Sequence, residues 1–222
     1  MVMQAWELEP VRQASVFCGM PLAPSHPYVH HKVIEALLTA QKPQGGFQWA
    51  FCANFDVAEA RNILVKQFLR TSCTHMLFLD SDIIIQPDTI VKLLQCRKPV
   101  VSAAYFEKRG GMSMQAYYHS EVPWRRDPQV EYRDGELVEA ELIGMGCVLI
   151  ERWVFEKTDY PWFRYTLHDE NLPDDERIGE DFTFAYTTCF KKLGIRPYVA
   201  TGVKVGHIGQ AVVWGKGDVR LL

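Results

Sequence analysis

The sequence predicts a single α/β domain built on an open central sheet. Apolar stretches with strand and helix spacing alternate over about residues 11–105, as expected for strands connected by helices. The short run Met76–Leu79 is wholly apolar, which is typical of a central strand covered on both faces. The acidic triplet Asp80-Ser81-Asp82 follows this run directly, at the sheet edge where such folds bind ligands.

Composition and length fit this prediction and exclude several other classes of protein. The chain has 222 residues, of which 48% are hydrophobic and 23% charged, enough for one domain with a sizeable core. A net charge of -3 disfavours a general nucleic-acid binder, although a local basic patch that contacts a nucleic-acid acceptor stays open. Six scattered cysteines without zinc spacing favour a reducing, cytoplasmic location. With no signal-peptide pattern and no apolar stretch near the ~20 residues of a membrane span, stable membrane insertion is not expected.

The first half of the chain is predicted to alternate regularly between strands and helices. Asp56 is a candidate N-cap, because Glu59 three residues later completes a capping-box pattern. The predicted elements are a strand over Val11–Gly19, a helix over Val29–Gln41, a strand over Phe47–Ala53, a helix from Asp56 toward Thr71, a strand over Met76–Leu79, a helix from Pro87 to Leu94 and a strand over Val100–Ala104.

The second half has shorter strand patterns separated by proline and glycine turns. It is predicted to contain strands over Met114–His119, Val130–Arg133 and Leu137–Leu142, an aromatic and acidic loop over Tyr160–Ile178, a helix over Glu180–Leu193 that Gly194 ends, and a strand over Arg196–Ala200. We therefore expect a nucleotide-binding half over about 11–105, an acceptor half over about 106–209 and a tail over 210–222.

The acidic triplet carries the first chemical signal. Two carboxylates separated by one residue point to the same side of an extended chain. Such hard oxygen ligands suit Mg²⁺ or Mn²⁺, either of which can bridge the phosphates of a nucleotide diphosphate and stabilise a departing diphosphate. A turn with Asx hydrogen bonds is the alternative interpretation, and the position after a buried strand favours the metal site.

Three motifs in order give the chain a resemblance to a known family. Ala60-Arg61-Asn62, then Leu77 to Asp82, then Pro87 resemble the nucleotide half of family 2-type GT-A glycosyltransferases, and the likeness extends over about residues 14–207. It implies a GT-A fold, a single Rossmann-like domain with a mixed central sheet. It also implies a UDP- or GDP-sugar donor with Mn²⁺ or Mg²⁺, ligated by Asp80 and Asp82 while Ser81 touches the donor. The acceptor stays unidentified.

The same resemblance assigns roles to residues outside the triplet. His207 would complete the metal shell and tilt the preference toward Mn²⁺, whereas a lone histidine is more often an ordinary hydrogen-bonded residue. Arg61 and Asn62 would contact the nucleotide. Three further residues are implied to border the donor, at the end of the first strand and in a glycine pair that is otherwise a hairpin or bulge: Pro21, Gly144 and Gly146.

Glu180-Asp181 opens the predicted helix of the second half. Acidic residues in a first turn complement the helix dipole, so this pair has a structural interpretation as well. The resemblance implies that Asp181 is the general base that deprotonates the acceptor hydroxyl, with Glu180 orienting the acceptor. Capping and catalysis are compatible, and an inverting transfer is favoured while a retaining one stays open.

Two other functions remain as alternatives at the level of sequence. A sugar nucleotidyltransferase would need a glycine-rich loop with a basic residue after the first strand, and the segment after Gly19 is proline-rich instead. A nucleotide-sugar binding module without catalysis is the third hypothesis. The aromatic and acidic segment from Trp162 to Asp175 is predicted to form a lid over the donor.

Overall fold

A computed structural model describes residues 13–108, 113–119, 129–167, 177–209, 212–215 and 218–220. Fifteen strands occur in these residues: β1 Val16–Pro21, β2 Phe47–Cys52, β3 His75–Leu79, β4 Ile83–Ile84, β5 Val100–Ala104, β6 Ala116–Tyr117, β7 Leu137–Glu139, β8 Leu142–Ile143, β9 Cys147–Glu151, β10 Thr166–Leu167, β11 Arg177–Ile178, β12 Tyr198–Lys204, β13 Gly206–Ile208, β14 Val212–Gly215 and β15 Asp218–Arg220. The helices are α1 His31–Thr39, α2 Val57–Leu69, α3 Thr89–Gln95, α4 Arg152–Glu156 and α5 Glu180–Thr183, which continues as a π-helix over Phe184–Lys192.

The predicted α/β fold is confirmed, and its centre is a seven-stranded mixed sheet in the order β2-β1-β3-β9-β5-β12-β7. β1 is parallel to β2 and β3, and β12 is parallel to β5. β9 lies antiparallel between β3 and β5, and β7 is an antiparallel edge strand. The five parallel strands therefore end at the same edge of the sheet.

The central strand β3 is buried on both faces, as the apolar run predicts. Met76 and Phe78 pack into one hydrophobic cluster, and Leu77 and Leu79 pack into the other on the opposite face. All four side chains are 0% exposed. This alternation follows from the strand period of two. Because β3 is the third of seven strands, its carboxyl end lies near the middle of the sheet edge.

The predicted elements of the first half are present with bounds that differ by up to five residues, and the two-residue strand β4 was not predicted. Val11 and Arg12, at the start of the first predicted strand, lie outside the described residues. The Asp56 side chain caps α2, because its Oδ1 accepts the backbone N–H groups of Ala58 at 3.0 Å and Glu59 at 3.2 Å. This cap satisfies two of the amides that a helix start leaves without intrahelical partners.

Two strand predictions of the second half are wrong. Val130–Arg133 forms no strand: Val130 is buried and donates its N–H to the Ala116 carbonyl, and the residues after it leave this pairing. The predicted strand Leu137–Leu142 is two strands with different partners. β7 pairs with β12, whereas β8 pairs with β6, and the chain changes partner at Ala140. The predicted strand Met114–His119 is reduced to β6.

The helix predicted over Glu180–Leu193 is present, although most of it has π-type hydrogen bonding. Gly194 follows with φ +68, a left-handed conformation that ends the helix at low cost for glycine. Of the predicted loop over Tyr160–Ile178, residues 168–176 lie outside the described residues, and these include the whole second half of the predicted lid.

The end of the chain forms a small second sheet in the order β15-β14-β13-β4. β13 pairs with β4, so His207 lies opposite Ile83, the residue after the acidic triplet. All six cysteines are free thiols, and five of them are buried. Within the described part of the chain, no helix is both long enough and apolar enough to cross a bilayer.

Candidate functional site

The acidic triplet lies where β3 ends and is held by backbone hydrogen bonds on both sides. The N–H of Asp80 donates to the carbonyl of Gly146 at 2.9 Å. The carbonyl of Asp82 accepts the N–H of Ile208 at 2.9 Å. The small C-terminal sheet and the segment before β9 therefore fix the positions of the two carboxylates.

Asp82 directly precedes β4, and its side chain faces that of His207 on the neighbouring strand β13. His207 Nε2 lies 3.7 Å from Asp82 Oδ1. His207 Nδ1 donates to the Phe106 carbonyl at 2.7 Å, and because a carbonyl only accepts, this bond places the ring proton on Nδ1. Burial lowers the pKa of His207, while the Phe106 carbonyl opposes this effect. Because its Nδ1–H donates to a backbone carbonyl, His207 keeps the Nε2 lone pair available as a ligand, as metal-binding histidines do.

Asp80 is turned toward a buried arginine. Arg61 is 3% exposed, and its Nη2 donates to Asp80 Oδ1 at 3.0 Å while its Nε donates to Glu180 Oε1 at 3.2 Å. Its Nη1 donates to the Met145 carbonyl at 3.4 Å. Burial raises the pKa of Asp80, and Arg61 opposes this rise. The predicted site residues Arg61, Asp80 and Glu180 are thus brought together, but the fork of Arg61 is occupied by protein groups.

These contacts decide which side chains suit a metal ion. Within the described residues, no group of three His, Cys, Asp or Glu side chains is arranged to hold a metal ion on its own. Asp82 and His207 provide one oxygen and one nitrogen ligand, whereas Asp80 Oδ1 accepts from Arg61. Mg²⁺ and similar ions are commonly bound by one or two carboxylates together with substrate phosphates and water. The donor set fits a cation of that kind, shared between protein and substrate.

Lys108 also reaches the triplet. Its Nζ contacts Asp82 Oδ2, and the two side chains are 40% and 28% exposed. This lysine follows β5 by four residues and has no motif around it, so the sequence gives no signal for its position.

Asp181 differs from its neighbour Glu180 in its surroundings. Burial and the negative charge of Glu180 raise the pKa of Asp181 to about 7, while the N–H of Phe182 and the charge of Arg61 oppose the rise. Asp181 Oδ1 accepts the Phe182 N–H at 2.7 Å. A carboxylate that exchanges its proton near neutral pH has the property required of a general base.

The two glycines of the 144–146 segment accommodate Tyr105. A Cβ atom at Gly144 would lie 1.8 Å from Tyr105 Oη, and one at Gly146 would lie 3.1 Å from the ring. The Gly146 N–H donates to Tyr105 Oη at 3.4 Å, and the ring lies edge-on to His207 at 5.6 Å. Burial raises the pKa of Tyr105, and the charges of Asp181 and Asp80 add to the rise.

Tyr105 was missed at the level of sequence. It directly follows β5, whose carboxyl end lies at the same sheet edge as that of β3. The rule that singled out the triplet therefore applies equally to Tyr105.

Asn62 is buried beside Arg61 and clamps a backbone segment. Its Nδ2 donates to the Phe163 carbonyl at 2.8 Å, and its Oδ1 accepts the Phe163 N–H at 3.0 Å. The side chain is 2% exposed, so a direct contact with a nucleotide would require these two bonds to break.

A cleft of about 700 Å³ lies beside the triplet, a volume within the range of small-molecule sites. We call it the β1–α1 cleft, because the loop between those elements forms one wall. Its lining residues are Ala23, His26, Tyr28, Val29, His30, His31, Ser81, Asp82, Lys108, Ile208 and Gly209. Pro21 is buried at the end of β1, immediately before this loop. A second hollow of about 440 Å³, between α1 and β14, contains none of the predicted site residues.

Three histidines of the β1–α1 cleft were given no role at the level of sequence. His30 Nδ1 accepts the Lys32 N–H at 3.2 Å and caps α1, while the His30 and His31 rings stack at 4.5 Å. The His30 N–H donates to the Ser81 carbonyl at 3.1 Å, which ties this loop to the triplet. Their position after the first strand, at the ligand edge of the sheet, was the signal that could have identified them.

Comparison with known proteins shows similarity at the level of fold. No protein-family model and no curated protein sequence matches the chain. Among solved structures, A197 from STIV is similar with a TM-score of 0.63 and 21% identity, over 94% of this chain and 93% of that one.

Two glycosyltransferase structures are also similar. GalNAc-T7, solved with UDP, GalNAc and Mn²⁺, has a TM-score of 0.60 and 11% identity, over 91% of this chain and 45% of its own. S. aureus TarS 1-349, solved with UDP-GlcNAc, has a TM-score of 0.49 and 15% identity, over 84% of this chain and 56% of its own. The chain thus spans about half the length of these two glycosyltransferase chains. At these identities the similarity shows the fold, and the fold is that of GT-A glycosyltransferases.

Proposed function

We propose that the protein is a metal-dependent glycosyltransferase of the family 2 type, which transfers a sugar from a nucleotide diphosphate to an acceptor hydroxyl. The convergence of Asp82 and His207 Nε2 beside the β1–α1 cleft, at the ligand edge of a GT-A fold, carries this proposal. GalNAc-T7, whose structure contains UDP and GalNAc, supports a nucleotide-sugar donor.

Asp82 and His207 would hold Mn²⁺ or Mg²⁺, and the imidazole ligand favours Mn²⁺. When bound, the cation supplies positive charge that stabilises the departing diphosphate. Asp80 has a different task in this proposal. It fixes Arg61, which in turn holds Glu180, so the metal side and the base side of the site keep one relative position.

The donor would lie in the β1–α1 cleft, with Ser81 and the loop after Pro21 along the nucleotide. Gly144 and Gly146 would act on the donor sugar through Tyr105, whose ring they accommodate. Asn62 would act through the Phe163 backbone that it clamps.

Asp181 would take the proton from the acceptor hydroxyl as that oxygen attacks the donor sugar. Its pKa of about 7 leaves a substantial fraction ionised at neutral pH and makes proton uptake favourable. A base on the acceptor side is what a direct, inverting displacement requires.

The test is the release of nucleoside diphosphate from a panel of UDP- and GDP-sugars with Mn²⁺ or Mg²⁺, compared between wild type and single variants. Asp181→Asn should lower turnover by about 10²–10⁴-fold, the usual contribution of a general base. Asp82→Asn should weaken Mn²⁺ binding and abolish the metal-dependent part of the rate. Asp159→Asn is the matched control, because that carboxylate is 91% exposed and pairs with Lys192.

Each alternative function predicts a different result in this assay. Release of pyrophosphate would identify a sugar nucleotidyltransferase, and tight donor binding without turnover would identify a binding module. Full activity in Asp181→Asn would exclude that residue as the base, and unchanged Mn²⁺ affinity in Asp82→Asn would exclude the metal assignment.

A further inference from the structure

Lys108 occupies one oxygen of the carboxylate that the proposed function assigns to the metal. We propose that Lys108 stands in for the cation beside Asp82 in the metal-free protein, and that metal binding releases this lysine to bind the phosphates of the donor. The inference rests on the proposed function of the same site.

The contacts of Asp82 show the competition directly. Lys108 Nζ contacts Oδ2, while His207 Nε2 faces Oδ1 at 3.7 Å. A divalent ion bound by Asp82 and His207 needs negative charge that the ammonium already neutralises. Two cations close to one carboxylate also repel each other, so metal binding and the Lys108 pair oppose one another.

Hydrogen bonds hold the three residues that precede Lys108 in the chain. Phe106 is 2% exposed, and its carbonyl accepts from His207. The Glu107 N–H donates to the Ser113 carbonyl at 3.1 Å, and the Gln115 N–H donates to the Tyr105 carbonyl at 3.1 Å. The stem of Lys108 therefore starts from a fixed point, and its ammonium stays close to the cleft when the pair with Asp82 opens.

The position and chemistry of Lys108 suit a phosphate ligand. It lines the β1–α1 cleft with Ser81 and Asp82, and among the described residues lining that cleft it is the one lysine, with no arginine present. An ammonium on a flexible four-carbon stem acts as a mobile point charge, which can follow a phosphate without fixed geometry. The ammonium of Lys108 would then leave the Asp82 carboxylate and join the metal in binding the diphosphate of the donor.

This exchange makes metal and nucleotide binding cooperative. The first ligand to bind breaks the Lys108–Asp82 pair, so the second ligand no longer has to break it. By linkage, the nucleotide should raise the affinity for the metal by the same factor that the metal raises the affinity for the nucleotide.

The experiment uses Lys108→Met, which keeps an apolar stem and removes the charge. Mn²⁺ affinity is measured by calorimetry without nucleotide, and UDP and GDP affinity is measured at saturating Mn²⁺. Mn²⁺ should bind about two- to fivefold more tightly, because an exposed ion pair of modest energy no longer competes. The diphosphate that the wild type binds should bind about tenfold more weakly, because a hydrogen bond to a charged group is lost.

Opposite shifts in the two affinities are the diagnostic result, since a merely structural role would not separate them. Lys108→Arg should keep both affinities near wild type. Lys192→Met is the control, because Lys192 also pairs with an exposed aspartate, Asp159, and should change neither value. A Lys108→Met protein in which either shift is missing overturns the inference. A wild type that binds no Mn²⁺ overturns the proposed function, and the inference with it.

Discussion

At the scale of single residues, Glu180 and Asp181 are adjacent in sequence but face different partners. Glu180 is 8% exposed and accepts from Arg61, which supplies positive charge at 3.2 Å. Asp181 accepts a neutral backbone N–H from Phe182 and lies close enough to Glu180 for that charge to raise its pKa. The environment thus divides one acidic pair into a carboxylate that holds Arg61 and a carboxyl group that titrates near pH 7.

The raised pKa of Asp181 makes the effect of Asp181→Asn on stability depend on pH. The folded protein holds this proton up to about pH 7, whereas the unfolded chain releases it near the ordinary aspartate pKa of 3.8. The stability that proton binding provides is complete below pH 3.8 and is lost as pH rises through 7. Asp181→Asn should therefore unfold a few degrees higher than wild type at pH 8 and at nearly the same temperature at pH 4.

Thermal unfolding of both proteins across pH 4 to 8 checks this prediction. Glu35→Gln, measured over the same range, is the control, because it also replaces a carboxylate by an amide, at an exposed position on α1. A difference between wild type and Asp181→Asn that stays constant from pH 4 to 8 would contradict the raised pKa.

The sequence singled out the acidic and histidine residues of the candidate site, but it did not predict all of their contacts. Asp82 and His207 were expected close together, and they are, because the carboxyl ends of strands converge on one edge. Tyr105 could have been singled out by the same rule, but the contacts of Tyr105 and Lys108 depend on distant backbone segments. The pairing of β13 with β4, and of Phe106 with Met114, sets those contacts, and neither pairing has a local sequence signal.

At the scale of elements, the segment from Gly144 to Gly146 and the end of β5 form one packed unit. Tyr105 fills the space left by both missing side chains. Met145 within the segment is 1% exposed, and its carbonyl accepts from Arg61. A displacement of this segment would therefore also move Tyr105 and Arg61, the arginine that contacts both Asp80 and Glu180.

Gly144→Ala tests that packing. The new methyl group would lie 1.8 Å from Tyr105 Oη, so the ring or the segment must shift, at a cost of about 1–3 kcal/mol in unfolding free energy. Tyr105→Phe removes the nearest clashing atom. The double variant should therefore lose less stability than the sum of the two single variants, as urea unfolding of all four proteins would show. Additive losses would mean that Gly144 and Tyr105 do not share this space.

The two halves of the chain also differ in how well their elements could be predicted. In the first half, the parallel strands β1, β2, β3 and β5 are connected by helices, and one hydrophobic period spans each of these elements, whereas the two-residue strand β4 was not predicted. In the second half, β6 and β8 have two residues each and form a separate two-stranded sheet. Strands of that length have too few residues to show a period, so long-range pairing decides where they begin and end.

At the scale of the whole molecule, Arg61 connects the predicted nucleotide-binding half to the acceptor half. It lies on α2 and contacts Asp80 after β3, both in the first half. It also contacts Glu180 and lies 6.0 Å from the Phe163 ring, both in the second half. A planar guanidinium can serve several acceptors at fixed angles, so a single side chain sets how the proposed metal and base sides face each other.

Arg61→Met tests this connection, because methionine keeps an apolar side chain against Phe78 and Phe163. The substitution leaves Asp80 and Glu180 without their cation, and loss of one partner from a buried ion pair costs about 3–5 kcal/mol. The pKa of Asp80 is already raised by burial, and without Arg61 it should rise further. Protonation then relieves the unpaired charge, so the loss should be larger at pH 8 than at pH 5.

Urea unfolding of Arg61→Met at pH 5 and pH 8 measures both parts of this prediction. Arg70→Met is the control, because Arg70 caps the end of the same helix and is exposed, so its effect should be small at both pH values. A loss for Arg61→Met that is equal at both pH values would show that packing against Phe78 and Phe163 dominates. A loss as small as that of Arg70→Met would show that the two halves are held together elsewhere, since Arg61 is the cation shared by Asp80 and Glu180.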